Sequence, residues 1–223
     1  MAAQGNSRPG GIRGDLSRLF SPEGTGAGTP SLGAAVRRVL TRPGPQAVAL
    51  YRASHWLWTR RLEVPAELVW RVNYFLTGAD IHPGAVIGGG LRMTHSAGVV
   101  IGSGVVIGDD VTLLHGVTMG GSGRGWFDGV FEDGYPVVGD RTEIMAGAKI
   151  LGPITVGQGC FIGANAVLAR DLPDGEAYTP AREMNELRRR VQDLEARVAE
   201  LESKPARSAT RARKPAKEAS EAS

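Results

Sequence analysis

The sequence has one cysteine, few aromatic residues and no long apolar run. Because Cys160 is the only cysteine in the 223-residue chain, an intrachain disulfide is excluded. No apolar segment approaches the roughly 18–20 residues that cross a membrane, and the N-terminal residues lack the apolar core of a signal peptide. We therefore expect a cytoplasmic protein that does not associate with membranes.

Positive charge is concentrated at the C-terminus. The formal net charge is +3, and residues 204–223 contain six Lys or Arg against two Glu. We predict disorder for this tail and for residues 1–30, whose Gly, Ser, Pro and Ala cannot bury enough apolar surface to offset the entropy of ordering. The tail could touch nucleic acid electrostatically. No aromatic platform or folded reader accompanies it, so a solubilising role is favoured and nucleic acid is not expected as a partner.

What the chain does contain is a six-residue repeat between Ile81 and Leu168. Its aliphatic residues are often followed by glycine, and a step of six fits neither the helical period of 3.6 nor the strand alternation of two. It is typical of a solenoid of short parallel strands, in which each hexad forms one side of a triangular coil. We predict that the following residues point inward: Ile81, Ile87, Met93, Ile101, Ile107, Leu113, Met119, Val138, Ile144, Ile150, Val156, Ile162 and Leu168.

The repeat is interrupted twice. Met93 and Ile101 are eight residues apart, and the extra residues surround His95. Met119 and Val138 are nineteen apart, which predicts an excursion loop over residues 120–136. Interruptions of a solenoid lie in loops on one face, where function is commonly placed. We assign residues 79–175 to the solenoid and expect residues 169–175 to leave the coil.

Helical patterns flank the solenoid. Residues 31–78 predict a cap of three helices that covers the open end of the coil. The first begins near Ser31 and is ended by Pro43 and Pro45, the second covers about residues 46–62, and the third starts near Pro65 and ends by Gly78.

Residues 182–203 predict a coiled-coil helix. Apolar residues alternate steps of three and four there: Met184, Leu187, Val191, Leu194, Val198 and Leu201. Val at a and Leu at d favour two strands, whereas hexapeptide solenoids usually associate in threes, and a single solvated helix is the simpler alternative. From the solenoid we expect a homotrimer or a higher multiple.

Several motifs occur in a fixed order along the chain: Tyr51-Arg52 with residues 54–58, Asp80-Ile81-His82-Pro83, His95 followed by Gly98, residues 117–123, residues 147–152, and Pro180-Ala181-Arg182. Over roughly residues 34–182 this set resembles the bacterial serine acetyltransferases. That family belongs to the left-handed parallel β-helix acyltransferases. The resemblance implies a mainly β, left-handed β-helix and acetyl transfer from acetyl-CoA to the hydroxyl of L-serine, a step of cysteine biosynthesis.

The resemblance assigns the chemistry to two residues. His95 would be the general base, because a neutral alcohol is a poor nucleophile and an imidazole can take its proton and return it to the leaving thiolate. Asp80 would hold the second ring nitrogen of His95. His82 and His115 are expected to be structural or to lie at the edge of the substrate. The four histidines lack a compact ligand spacing, so no metal is expected.

The acyl donor is expected beside small and basic residues. A glycine-rich turn could supply oxyanion N–H donors and let the pantetheine arm lie close to the coil, while basic side chains could meet the CoA phosphates. The predicted set is Gly120, Gly121, Ser122, Arg124, Ala146, Ala148, Lys149, Ala164 and Arg182.

The acceptor side departs from the family. Thr94 stands where the family has aspartate, and Gly134-Tyr135-Pro136 stands where it has Arg-His-Pro; the family uses those groups to recognise the amino acid. We place Thr94 and Tyr135 at the acceptor site. The acceptor therefore stays open between serine, a related small hydroxylated molecule, a sugar and a secondary-metabolite alcohol. A third hypothesis is a non-catalytic trimeric scaffold. The coil and tail replace the family's C-terminal end, so its usual complex with the next enzyme of cysteine synthesis is not expected.

Overall fold

The computed structural model describes residue 15, residues 32–122 and residues 134–203. Outside these residues lie the C-terminal tail (204–223), most of residues 1–30, and the middle of the excursion loop with Arg124. The disorder predicted for the two termini therefore stays a prediction. Asp15 is described, and its carboxylate pairs with Arg52 at 2.7 Å and accepts hydrogen bonds from the N–H groups of Gly90 and Leu91.

Three helices form the predicted cap: α1 (Leu32–Thr41), α2 (Pro43–Trp58) and α3 (Glu63–Thr77). Pro43 opens α2 as well as following α1, because the first helical position needs no N–H donor. The start of α3 lies two residues before Pro65, and the helix ends at Gly78, whose φ of 71° is left-handed. Asn73 donates a hydrogen bond to the carbonyl of Ala47 and so joins the two longer helices.

Fourteen short strands follow among the described residues. They are β1 (Asp80–Ile81), β2 (Val86–Ile87), β3 (Arg92–Met93), β4 (Val100–Ile101), β5 (Val106–Ile107), β6 (Thr112–Leu113), β7 (Thr118–Gly120), β8 (Val137–Val138), β9 (Glu143–Ile144), β10 (Lys149–Leu151), β11 (Thr155–Val156), β12 (Phe161–Ile162), β13 (Val167–Leu168) and β14 (Ala177–Tyr178).

The strands pair in parallel and form three sheets, one for each side of a left-handed coil. Sheet A contains β1, β4, β7, β10 and β13, and sheet B contains β2, β5, β8 and β11. Sheet C contains β3, β6, β9, β12 and β14. Stacked strands are in register, so that Asp80 lies beside Val100 and Thr118 beside Lys149.

The interior confirms the six-residue repeat. All thirteen predicted inward residues are buried, with at most 4% of their surface exposed. They form a continuous hydrophobic core that also includes Tyr51 of the cap, whose hydroxyl donates to the carbonyl of Ala85. Burial raises the pKa of Tyr51 to about 12, so this hydroxyl keeps its proton. Stacking alike hexads is thus what builds the core, as in other solenoids.

The end of the solenoid differs from the prediction. Residues 169–175 do not leave the coil, because Leu172 is buried, bridges Val156 and exchanges backbone hydrogen bonds with the strand beneath it. The chain then adds β14 to sheet C, two residues beyond the predicted boundary. The six-residue spacing did not predict this, because the last step is shorter: the next inward residue, Leu172, lies four positions after Leu168 and not six.

The C-terminal helix α4 (Pro180–Ser203) begins two residues earlier than predicted. The residues up to Glu183 form one compact unit, and the part of the helix from Met184 onward belongs to a second unit, which is described by itself. Within the described residues, no helix has the length and apolar character needed to cross a membrane.

Candidate active site

The candidate site lies at the corner where each coil passes from sheet C to sheet A, which we call the C–A corner. Successive corners are joined by backbone hydrogen bonds: the N–H of Gly116 donates to Ala97, and the N–H of Gly147 donates to His115. The corner glycines adopt left-handed φ angles of 67° and 72°, as tight solenoid corners require. This stacking brings His95 and His115 together, with ring centroids 6.1 Å apart. Both imidazoles are exposed.

The first C–A corner is longer than the others, as predicted. Six residues (94–99) separate β3 from β4, whereas four separate β6 from β7 and four separate β9 from β10. Ser96 within it is buried and donates its hydroxyl to the carbonyl of Thr77 at 2.6 Å. The N–H of Gly98 donates to the carbonyl of Gly78 at 2.9 Å. The cap therefore anchors the loop on which His95 stands.

The N-terminus of α2 lies against the same loop. Gly44 is buried, and a Cβ there would overlap the carbonyl oxygen of Met93. Only glycine allows this close approach of backbone to backbone. Thr94 and His95, which follow, remain exposed. The loop is thus fixed at its ends while its imidazole faces outward.

Asp80 lies at the start of sheet A, half-buried beneath the cap. Its Oδ1 accepts a hydrogen bond from Nε1 of Trp70 in α3 at 2.8 Å. Among the described residues no hydrogen bond joins Asp80 to His95, so their pairing stays a prediction. Sequence reasoning missed Trp70, because nothing in a helix ten residues upstream signals a partner for a strand carboxylate.

His82 packs against the helical cap. Its ring makes edge contacts with Trp58 and Trp70, at centroid distances of 5.3 and 4.8 Å. Its Nδ1 accepts the N–H of Gly84 at 2.9 Å. Burial lowers the pKa of His82 below its usual value, outweighing the opposite effect of Asp80 and Glu67. The fold therefore favours the neutral imidazole over the charged form.

Part of the predicted acyl-donor set follows the C–A corner. Ala146 and Ala164 lie on the third and fourth corners, below His115. Lys149 directs its Nζ into this corner and donates to the carbonyl of Gly116 at 2.6 Å, leaving further donors on its ammonium.

Two other members of the predicted set have side chains engaged elsewhere. Ala148 is fully buried in the core, so its side chain faces no ligand. Arg182, in the first turn of α4, donates to the carbonyl of Ala177 at 2.8 Å.

The rest of the predicted set lies at the opposite edge of sheet A. Gly120, at the end of β7, has open space where a side chain would stand, and Gly121 and Ser122 follow it. From His115 to Gly120 the chain runs five residues, which is about 16 Å at the usual rise of a strand. Within one chain His115 lies in the corner before β7 and Gly120 at the end of β7.

Tyr135 also lies at that opposite edge. Its ring covers Gly102 and Gly104, where any Cβ would overlap it, and its hydroxyl accepts a hydrogen bond from Ser103 at 3.2 Å. Gly134 before it is pressed against Pro153, and a side chain at that position would overlap the proline. The departures from the Arg-His-Pro motif are thus built into the packing of this turn.

No group of three or more His, Cys, Asp or Glu suited to a metal occurs in the part of the chain that the structure describes. The two exposed imidazoles can accept or donate a proton.

A parallel β-helix with an anchored histidine at its corner defines the class of hexapeptide-repeat transferases. The family model for the bacterial transferase hexapeptide (six repeats) matches residues 135–170.

The curated relatives give the family. A serine acetyltransferase of Helicobacter pylori (strain J99) is 46% identical over 144 residues, which cover 65% of this chain and 81% of the relative. The serine acetyltransferase of Mycobacterium tuberculosis is also 46% identical over 144 residues, but the match covers 61% of that longer protein. The chain belongs to the serine acetyltransferase family.

Solved structures of the same family share the fold. A serine acetyltransferase in complex with CoA is 33% identical, with a TM-score of 0.62, over 75% of this chain and 65% of that one. A soybean serine acetyltransferase complexed with serine is 32% identical, with a TM-score of 0.64, at the same coverage of both chains. The chain thus spans less than two thirds of the length of these neighbours.

Proposed function

We propose that this protein transfers the acetyl group of acetyl-CoA to the hydroxyl of L-serine, or of a related small hydroxylated acceptor. The single observation that carries the proposal is the anchored, exposed His95 at the elongated C–A corner of a chain 46% identical to named serine acetyltransferases. Relatives bound to CoA and to serine support both substrates.

The proposed reaction needs one base and one oxyanion site. A ring nitrogen of His95 removes the hydroxyl proton while the acceptor oxygen bonds to the thioester carbonyl carbon. The resulting oxyanion is stabilised by N–H donors, for which the turn after Gly120 is the candidate. Collapse of the tetrahedral intermediate breaks the C–S bond. The imidazolium then returns its proton to the CoA thiolate, so the enzyme ends unchanged.

We further propose that three copies assemble through sheet B. The outward residues of sheet B are uncharged: Val86, Val106, Val137 and Thr155. Sheets A and C instead carry charges in their outward rows, such as Lys149 and Glu143. Val86 and Val137 are 44% and 42% exposed in the single chain, which suits burial against another copy.

A different acceptor is the second candidate. Gly134 leaves no room for a cationic side chain beside Pro153, and Tyr135 places an aromatic ring on the adjacent turn. An aromatic face suits the apolar side of a sugar ring or of a larger alcohol better than an amino-acid carboxylate. This favours a sugar or secondary-metabolite hydroxyl if serine proves inactive.

The test is release of CoA thiol by the purified protein, with L-serine compared against sugars and other hydroxylated metabolites. We expect turnover with serine that falls at least about a thousandfold in His95→Asn, because no other base stands in that loop. His115→Asn is the matched control on the next coil and should keep measurable turnover. Calorimetry with CoA tells loss of chemistry from loss of binding. An active His95→Asn variant would refute the mechanism.

A further inference from the structure

The second unit carries an unpartnered apolar seam along α4. Its six members are all more than half exposed: Met184 (52%), Leu187 (51%), Val191 (53%), Leu194 (52%), Val198 (52%) and Leu201 (68%). Their spacing of three and four places them on one face of the helix. We propose that this seam binds the same seam of a second copy of the chain, in parallel and in register, as a short coiled coil.

Charge complementarity identifies the occupant. In a parallel, in-register pair, Arg190 lies beside Glu195 of the second copy, and Arg197 beside Glu202. Each contact occurs twice by symmetry and joins opposite charges. Glu183 would face Arg188 in the same way, but it already accepts a hydrogen bond from the hydroxyl of Tyr178 at 2.6 Å. The two later pairs therefore supply the charge complementarity between the helices.

The opposite direction is less favourable. An antiparallel pair that keeps the six apolar residues opposed would place Met184 against Leu201. It would bring Arg190 close to Arg197 of the second copy and leave Arg188 with Glu195 as the attractive flanking pair. Like charges at these flanking positions are destabilising. Binding of a protein with a different sequence would not require that the charges of this helix be complementary to themselves. The pattern thus selects a second copy over other occupants, and parallel over antiparallel.

The length of the seam sets its strength. A helix of 24 residues is about 36 Å long and carries roughly three heptads, which is marginal for association in free solution. Copies already held together by another contact would meet at an effective concentration in the millimolar range. We therefore place the coil as a secondary clamp between chains that associate elsewhere, independent of the acetyl-transfer chemistry.

Thiol trapping in the full-length protein tests the inference. In a parallel, in-register coil, residue 201 meets its own counterpart, so Leu201→Cys should form a disulfide-linked dimer under mild oxidation. Ala196→Cys, on the solvated face of the same helix, is the matched control and should cross-link at least tenfold more slowly. Cys160 is buried in both variants and contributes equally. Equal rates for the two variants would overturn the proposal.

Charge reversal gives a second readout that does not depend on folding of the β-helix. Arg190→Glu with Arg197→Glu should slow trapping through residue 201, because both pairs then repel. Mixing this variant with Glu195→Arg and Glu202→Arg, both carrying the cysteine, should restore trapping between unlike chains. Faster trapping between Met184→Cys and Leu201→Cys chains than between two Leu201→Cys chains would instead establish the antiparallel arrangement and refute ours.

Discussion

Trp70 donates its indole N–H to Oδ1 of Asp80 across 2.8 Å, joining the cap to the first strand of the β-helix. An indole has one donor and no acceptor, so the bond fixes one oxygen of the carboxylate and leaves the other for a second partner. If Asp80 orients His95, Trp70 is a positioning residue for the reaction.

Replacing Trp70 by phenylalanine tests that role. We expect Trp70→Phe to lower kcat about tenfold, equivalent to ~1.4 kcal/mol of barrier, with little change in KM for acetyl-CoA. Trp58→Phe is the matched control, since Trp58 also contacts the ring of His82 but, among the described residues, makes no hydrogen bond to Asp80. Steady-state kinetics on both variants decide the matter. Equal losses would mean that the ring packing, and not the hydrogen bond, matters.

The lowered pKa of His82 predicts a pH dependence of stability. The unfolded chain binds a proton at His82 near pH 6.5, whereas the folded chain resists it because the half-buried ring is partly removed from water. The unfolded state therefore binds more protons below that pH, and stability falls as the pH drops from 7 towards 5. In His82→Asn this contribution should vanish, since the amide oxygen can still accept the N–H of Gly84 without titrating. Denaturant unfolding of both proteins at several pH values measures the difference, and parallel curves would contradict the prediction.

Two glycines of the solenoid should respond differently to alanine. Gly108 lies against the backbone and side chain of Asp140 in the next coil, so Gly108→Ala should cost about 1–3 kcal/mol of unfolding free energy. A Cβ at Gly120 would meet open space, so the unfolding free energy of Gly120→Ala should lie within about 0.5 kcal/mol of that of the parent protein. If Gly120 lines the acyl-donor site, its variant should nevertheless raise the KM for acetyl-CoA. Thermal melts and kinetics on the pair separate the two effects, and an unchanged KM would remove Gly120 from that site.

Much of the fold could be predicted because a solenoid is a local structure. Each hexad contacts only its neighbours, so the inward positions of residues such as Ile101 and Val156 follow from spacing alone. The elongated corner at His95 was visible for the same reason, as a break in that spacing. The end of the coil could not be predicted in this way, because the corner before Leu172 is shorter than the others and breaks the six-residue spacing.

The site was less accessible to sequence reasoning. The resemblance assigned His95 and Asp80 to the chemistry and Lys149 to the acyl-donor site. It could not show that Lys149 donates a hydrogen bond to the carbonyl of Gly116. Nor could it show that Trp70 holds Asp80 or that Ala148 points into the core. These contacts depend on side-chain direction and on residues distant in the chain.

The sequence by itself determined the coil, its core and the loop that carries the imidazole, since a repeated step of six dictates which side chains are buried wherever it continues. Only the tertiary structure decided how that loop is held. The contacts of Ser96 with Thr77 and of Gly44 with Met93 join the cap to the first corner, and such contacts form between segments that no local pattern relates.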